Sequence, residues 1–192
     1  HGARLMVDDA HGLGVLGAAG RGSLYEAGLG QADAPILVGT LGKALGTSGA
    51  FVAGSEALIE TLIQHARTYV YTTAMPPAMA VATRHALAIA AGEDWRRERL
   101  RALIERFRRE AGCLGLTLMP SRTPIQPVVV GGAEAALAAA RDLERAGVLV
   151  SAIRPPTVPD GTARLRVTLS AVHTDSHLDQ LLSALARLAP SR

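Results

Sequence analysis

The sequence predicts an α/β fold in two parts. Residues 1–92 read as a piece of a large, mostly parallel sheet domain, and residues 93–192 as a small α+β domain entered through a long helix. Three observations carry this. Short apolar runs alternate with helical segments up to Gly92, as in strands joined by crossover helices. The stretch DWRRERLRALIERFRRE alternates arginine with acids, as one long solvated helix face does. After it, runs rich in Val, Ile and Leu are interleaved with two further helical segments.

Taken in order, ARLMVDD is an apolar run ended by acids, and it predicts a short buried strand. AHGLGVLGAAGRGS is too rich in glycine for regular structure and predicts a loop, with LYEAG a brief helix closed by Gly28. APILVGT predicts a second buried strand, GKALGTSG a turn, and GAFVAGS a third strand. Ser55 is placed to cap the helix EALIETLIQHART. YVYTTAMPP is expected to be extended, because a residue before proline is pushed out of the helical region. Pro77 opens the next helix, PAMAVATRHALAIAA, which Gly92 closes. The long helix then runs to Gly112. LTLMPSRTPIQPVVVG predicts two short strands around a bend, and AEAALAAARDLERAG a helix. VLVSAIRPP and ARLRVTLSA predict strands, and DSHLDQLLSALARLA the closing helix.

Bulk properties narrow the function classes. The chain is 48% hydrophobic but only 3% aromatic, so aliphatic side chains must build its core. The net charge of +3 is small, and no basic cluster is interleaved with aromatics, which argues against nucleic acid. Cys113 is the only cysteine, so neither an internal disulfide nor a cysteine metal cluster is expected. That usage fits a reducing cytoplasm, and no metal site is expected. There is no apolar run of membrane-spanning length and no signal-peptide pattern. The opening HGARLMVDDAHG has no initiator Met and leads almost at once into an apolar strand, which predicts the C-terminal part of a longer enzyme.

Lys43 is the only lysine, set in LVGTLGKALGTSGAFVAG. A phosphate-binding loop would need Gly at position 37 and Ser or Thr at position 44. Leu37 and Ala44 stand there instead. A plain surface lysine is the bland alternative. Two features weaken it. The turn follows an apolar strand, at the end where open α/β sheets bind ligands. In a chain that otherwise uses arginine, a retained lysine also suggests chemistry that needs a removable proton. The third reading is a Schiff-base lysine carrying pyridoxal phosphate (PLP). That cofactor needs a carboxylate on its pyridine nitrogen. Asp8 is the candidate, with a turn acid as its bland alternative, and Asp9 should point the other way along the strand. His11 lies close enough in sequence to meet the cofactor ring. The Thr40 hydroxyl would reach the phosphate or simply close the turn.

Taken together, VDDAHGLGVLGAAGRG, GTLGKALGTSGAFVAG, YTTAMPPA and AIRPPTVPDGTARLRVTLSAVHT resemble the α-oxoamine synthases. These are fold-type I PLP-dependent transferases that condense an amino acid with an acyl thioester and release carbon dioxide. The resemblance therefore implies the C-terminal part of that fold. RPPTVPDGTARLR is most similar to the members that join L-alanine to a pimeloyl thioester, carried by coenzyme A or a carrier protein, in biotin synthesis. A member joining glycine to acetyl-CoA is the alternative, as is an inactive fragment serving folding or dimerisation. The resemblance implies roles residue by residue. Lys43 corresponds to the Schiff-base lysine and catalytic base, Asp8 to the pyridine-nitrogen partner, and His11 to the histidine beside the phenolic oxygen. Thr40 corresponds to a threonine near the cofactor. Thr72 and Thr73 correspond to a hydroxyl pair reaching the cofactor phosphate of the other subunit in a homodimer. Arg166 corresponds to the grip on the amino-acid carboxylate, and Thr157 to a substrate contact.

Arg166 also has a physical argument. Arg164 and Arg166 are two apart in a strand and share a face, and a guanidinium suits a carboxylate. Arg164 is expected to make a structural ion pair. His65, His85, His173 and His177 are expected to be structural or on the surface. A lysine acting as base near neutral pH should be buried or lie beside another cation. Family members normally supply a ring-stacking residue and a glycine-rich phosphate contact from a first half that has no counterpart in this sequence. The chain alone is therefore expected to bind PLP poorly.

Overall fold

The structure, a computed structural model, describes residues 2–188. The chain separates into two compact units, one up to Arg97 and one from Glu98 onward. In the first unit, β1 (Met6–Asp8), β2 (Ile36–Thr40) and β3 (Ala50–Ala53) form a sheet in that order. β1 and β2 are parallel, with Asp8 opposite Val38. β3 returns antiparallel, pairing Ala50 with Thr40. A 3-10 turn at Ala18–Gly20 and the short α1 (Ser23–Glu26) lie in the glycine-rich connection.

Helix α2 (Glu56–His65) starts where expected: the Leu58 amide donates to Ser55 Oγ at 3.3 Å. The next segment departs from expectation. Residues Arg67–Val70 form a short helix, α3, rather than an extended strand. Ala66 leaves the helical region at φ −73°, ψ 101°, which ends α2 and lets a new turn begin. Proline restrains only the residue before it, Met75, and does not reach back to Tyr69. Helix α4 (Pro77–Gly92) carries proline in its first turn, where no amide partner is lost.

Helix α5 (Trp95–Cys113) begins in the first unit and runs through the second. There β4 (Ile125–Gly131), α6 (Ala133–Arg145), β5 (Ser151–Ile153), β6 (Ala163–Thr168) and α7 (Asp175–Ala186) follow. The sheet order is β4-β6-β5, all antiparallel. Only one strand forms where two are expected before α6. Leu118 gives an isolated bridge to Val128, and the prolines at 120 and 124 stop it from extending.

The second unit owns the core. β6 turns Ala163, Leu165 and Val167 inward and Arg164, Arg166 and Thr168 outward. Helix α5 buries Leu100, Leu103, Ile104, Phe107 and Ala111 at helical spacing. Helix α7 does the same with Leu178, Leu181, Leu182 and Leu185. Among the described residues of the first unit, the only buried hydrophobic side chains are Ala34 and Leu45. The expectation of buried strands there is not met: Met6 of β1 is 62% exposed, and Ile36 to Val38 of β2 are half-buried. β1 is an edge strand of this three-stranded sheet, and too few apolar side chains pack on its faces to cover it.

Candidate active site

The parallel pairing of β1 and β2 brings their C-terminal ends to one edge of the sheet, where ligands bind in open α/β folds. Asp8 ends β1 and is exposed; its Oδ1 accepts the Ala10 amide at 3.0 Å. His11 follows in the turn. The loop from β2 to β3 carries Lys43. Its Nζ lies 3.0 Å from Nε2 of His11, so the structure brings together two groups that are far apart in sequence.

The Lys43 loop is a closed hairpin connection. Leu41 donates to Gly49 O at 2.9 Å, Thr47 to Leu41 O at 2.9 Å, and Gly46 to Lys43 O at 3.0 Å. Gly46 sits at φ +64° and Gly49 at φ +112°, both in the region that favours glycine. The Thr47 hydroxyl donates to Leu41 O at 3.0 Å and meets the hydroxyl of buried Thr83 at 2.9 Å, which ties the loop to α4. Sequence reasoning missed this pair, because hydroxyls 36 positions apart carry no local signal. The Ala44 side chain faces Gly14, where an added Cβ would come within 2.8 Å. That packing sets the Lys43 loop against the glycine-rich connection.

Thr40 closes the turn in this structure. Its hydroxyl donates to Gly49 O at 3.2 Å and accepts the Gly42 amide at 3.2 Å. Lys43 itself is exposed, not buried.

Asp9 lies just past the end of β1 and is buried where Asp8 is exposed. It is 4% exposed, and its Oδ2 accepts the Ser23 amide at 2.9 Å. Its weight in the site was not legible from the sequence. The signal that could have shown it is the doubled acid followed by glycines at 12 and 22, which crowd the carboxylate. Thr72 and Thr73 are exposed after α3, and the Thr72 hydroxyl donates to Thr68 O.

In the second unit, Arg166 is exposed on the outer face of β6, between Pro127 of β4 and Ser151 of β5. It has no hydrogen-bond or ion-pair partner among the described residues. Arg164 departs from expectation. Its described partners are Thr162, through the carbonyl at 3.0 Å and the hydroxyl at 3.1 Å, and the Met119 sulfur. The β6 turn brings Thr162 closer to it than any carboxylate. Thr157 is exposed in the loop after the cis Pro155–Pro156 bond. His173 and His177 serve the α7 N-terminus, each accepting a backbone amide on Nδ1. No group of metal-binding side chains occurs among the described residues.

Comparison with known proteins identifies the family. Residues 1–185 match the family model of class I and II aminotransferases. The chain is 67% identical to an 8-amino-7-oxononanoate synthase from Thioalkalivibrio sulfidiphilus, over 97% of this chain and 48% of that one. The crystal structure of 8-amino-7-oxononanoate synthase from Francisella tularensis superposes with a TM-score of 0.86 at 34% identity, covering 96% of this chain and 54% of that one. A serine palmitoyltransferase variant from S. paucimobilis with bound PLP–myriocin aldimine superposes with a TM-score of 0.89 at 28% identity, covering 97% and 47%. The chain thus spans about half the length of the curated relatives it matches. Its α/β architecture is part of the fold-type I transferase fold. On its motifs, its family match and its neighbours, the chain belongs to the class I and II aminotransferases, and among them to the α-oxoamine synthases.

Proposed function

We propose that this chain is the C-terminal part of a PLP-dependent acyltransferase that condenses L-alanine with a pimeloyl thioester, releasing carbon dioxide and giving 8-amino-7-oxononanoate for biotin. The single observation that carries the reading is the Lys43 Nζ to His11 Nε2 contact of 3.0 Å, beside Asp8 at the C-terminal ends of two parallel strands. An amine, an imidazole and a carboxylate together form the donor set that PLP requires. The identity to 8-amino-7-oxononanoate synthases supports the substrate choice.

Lys43 would hold the cofactor's aldehyde carbon, Asp8 its pyridine nitrogen and His11 its phenolic oxygen. Thr40 would lie near the phosphate, and Thr72 and Thr73 would serve the phosphate of the second subunit in a homodimer. When bound, PLP supplies the electron sink that stabilises negative charge at the amino acid's α-carbon. The protein's own part is proton handling and orientation. Once the amine of the incoming alanine has displaced it from the cofactor, the freed Lys43 amine would remove the α-proton, and the imidazole at 3.0 Å steadies that amine by hydrogen bonding. A side chain held this way also returns the proton to the same carbon at the end. Asp8 presents its carboxylate from an exposed turn, and a negative charge beside the ring nitrogen would favour its protonated form. Arg166, with its guanidinium uncommitted, takes the alanine carboxylate through paired N–H donors, and Thr157 contacts the substrate. Residues 1–92 then form the partial cofactor domain and 93–192 the small domain. No helix among the described residues is long and apolar enough to cross a membrane. A cytoplasmic biosynthetic role is part of this proposal.

Product formation tests the substrate choice. The full protein is given alanine, glycine or serine with pimeloyl or acetyl thioesters. Alanine with the pimeloyl donor should turn over fastest; faster turnover of glycine with acetyl-CoA would replace this reading with the alternative.

A further inference from the structure

We propose that Asp9 is a positioning residue for the His11–Lys43 pair: its buried carboxylate fixes the turn that carries His11. This rests on the function proposed above and adds a residue that does not itself touch the reacting atoms.

Asp9 stands at the junction of four segments. Its amide donates to Val38 O of β2 at 2.8 Å. Its carbonyl accepts the amides of Gly12 at 3.0 Å and Leu13 at 3.1 Å, closing the turn that holds His11. Its Oδ2 accepts the amide of Ser23, where α1 begins, at 2.9 Å. Two glycines press on the same carboxylate. A Cβ at Gly12 would stand 1.9 Å from Oδ1, and one at Gly22 would stand 2.1 Å from Oδ2. The glycines thus leave room for one side chain in one pose.

The consequence reaches Lys43 through His11. The stretch from Gly12 to Gly22 holds several glycines and is closed by its own backbone hydrogen bonds, among them Gly14 N–H to Gly20 O and Gly22 N–H to Leu16 O, both at 2.8 Å. The Asp9 carboxylate ties the far end of that stretch, at Ser23, to the residue that follows β1. Without the carboxylate the backbone bonds of the turn remain, but the Ser23 bond and the contact against Gly12, next to His11, are lost; a displacement of about 1 Å in a catalytic group is enough to cost roughly a hundredfold in rate.

Gly12 offers an independent handle. It is not in the left-handed region, and the nearest atoms that its added Cβ would meet, at 1.9 to 3.1 Å, belong to the Asp9 side chain. Gly12→Ala therefore acts first on that carboxylate.

The experiment uses the full-length enzyme with PLP and four variants: Asp9→Ala, Asp9→Asn, Gly12→Ala and the Asp9→Ala/Gly12→Ala double. The readouts are kcat, KM for alanine, and the pH midpoint of the cofactor's visible absorbance. Asp9→Ala and Gly12→Ala should each lower kcat roughly ten- to a hundredfold while KM stays nearly constant. The absorbance midpoint should move by about one unit, because the imidazole no longer holds its place. Asp9→Asn keeps an acceptor for Ser23 and should restore most of kcat. The double variant should be no worse than Asp9→Ala, since both changes disturb one contact. Wild-type kcat and midpoint in Asp9→Ala would overturn the proposal, as would additive losses in the double variant or no rescue by Asp9→Asn. If Asp9→Ala does not fold, Gly12→Ala against wild type gives the same decision. A wild-type enzyme with no visible cofactor band would instead overturn the proposed function, so the two failures are distinguishable.

Discussion

Lys43 depends on one contact, the 3.0 Å approach of His11, and on a loop whose backbone is closed at both ends. Arg166 is the other residue on which the chemistry turns. Its side chain is uncommitted among the described residues, so removing it costs the fold little. Arg166→Ala should lower kcat/KM for alanine by about 1.5–3 kcal/mol, roughly ten- to a hundredfold, with stability unchanged. Arg166→Lys should recover only part of this, because an ammonium cannot present a planar fork to a carboxylate. Steady-state kinetics beside a thermal melt checks both. At this scale the sequence was informative where chemistry leaves a compositional mark. A lone lysine, an acid closing an apolar run and two arginines spaced for one strand face were all legible. The Thr47–Thr83 hydroxyl pair and the Met119 sulfur beside Arg164 were not, because each needs the fold to bring distant residues together.

Helix α7 shows how an element is pinned by its first turn. Thr174 Oγ1 accepts the His177 amide at 3.3 Å, and His177 Nδ1 accepts the Thr174 amide at 3.3 Å, a reciprocal cap. His173 Nδ1 accepts the Ser170 amide at 3.2 Å, and the two rings meet edge to face at 5.9 Å. Arg99 of α5 donates to His173 O at 3.3 Å and pairs with Asp175 at 3.1 Å, while Arg106 reaches Asp175 and Asp179. Thr174→Ala should cost about 1 kcal/mol of stability in urea unfolding, the usual worth of such a cap. The pH dependence follows from His173 and Asp175. Burial, and then the neighbouring His177, push His173 below its ordinary value near 6.5. The folded state therefore resists the proton that the unfolded state accepts. The stability from His173 is full above that ordinary value and is lost as pH falls through the lower folded one. Asp175 is held below the usual carboxylate range by its hydrogen bond to Arg99, so its contribution also fades on the acid side. Urea midpoints should fall between about pH 7 and 5, and His173→Asn, which keeps an acceptor without titrating there, should flatten that fall. The cap sequence was readable only in part: DSHLDQLL gave the helix, but a histidine as the reciprocal acceptor is not a residue that the usual capping pattern suggests.

The two units differ most as wholes. The second has a closed aliphatic core around Phe107, Leu165 and Leu185, each at most 1% exposed. The first exposes Met6 at 62%, Tyr71 at 80% and Val81 at 66%, and buries little. Sequence patterning could not foresee this. An apolar run such as ARLMVDD states that a strand wants cover, not whether the cover lies within these residues. Expressed separately, residues 98–192 should fold cooperatively, and residues 1–97 should not, as read by circular dichroism and a urea transition. The whole chain alone should bind PLP poorly, since Lys43 is open to solvent; a visible-absorbance titration against the full-length protein measures the difference.

The central claim is that Lys43 carries the cofactor, and borohydride trapping tests it most directly. The full protein is loaded with PLP, reduced, digested and mapped by mass spectrometry. The account predicts a pyridoxyl group on the peptide containing Lys43. Bound PLP with that peptide unmodified would contradict it.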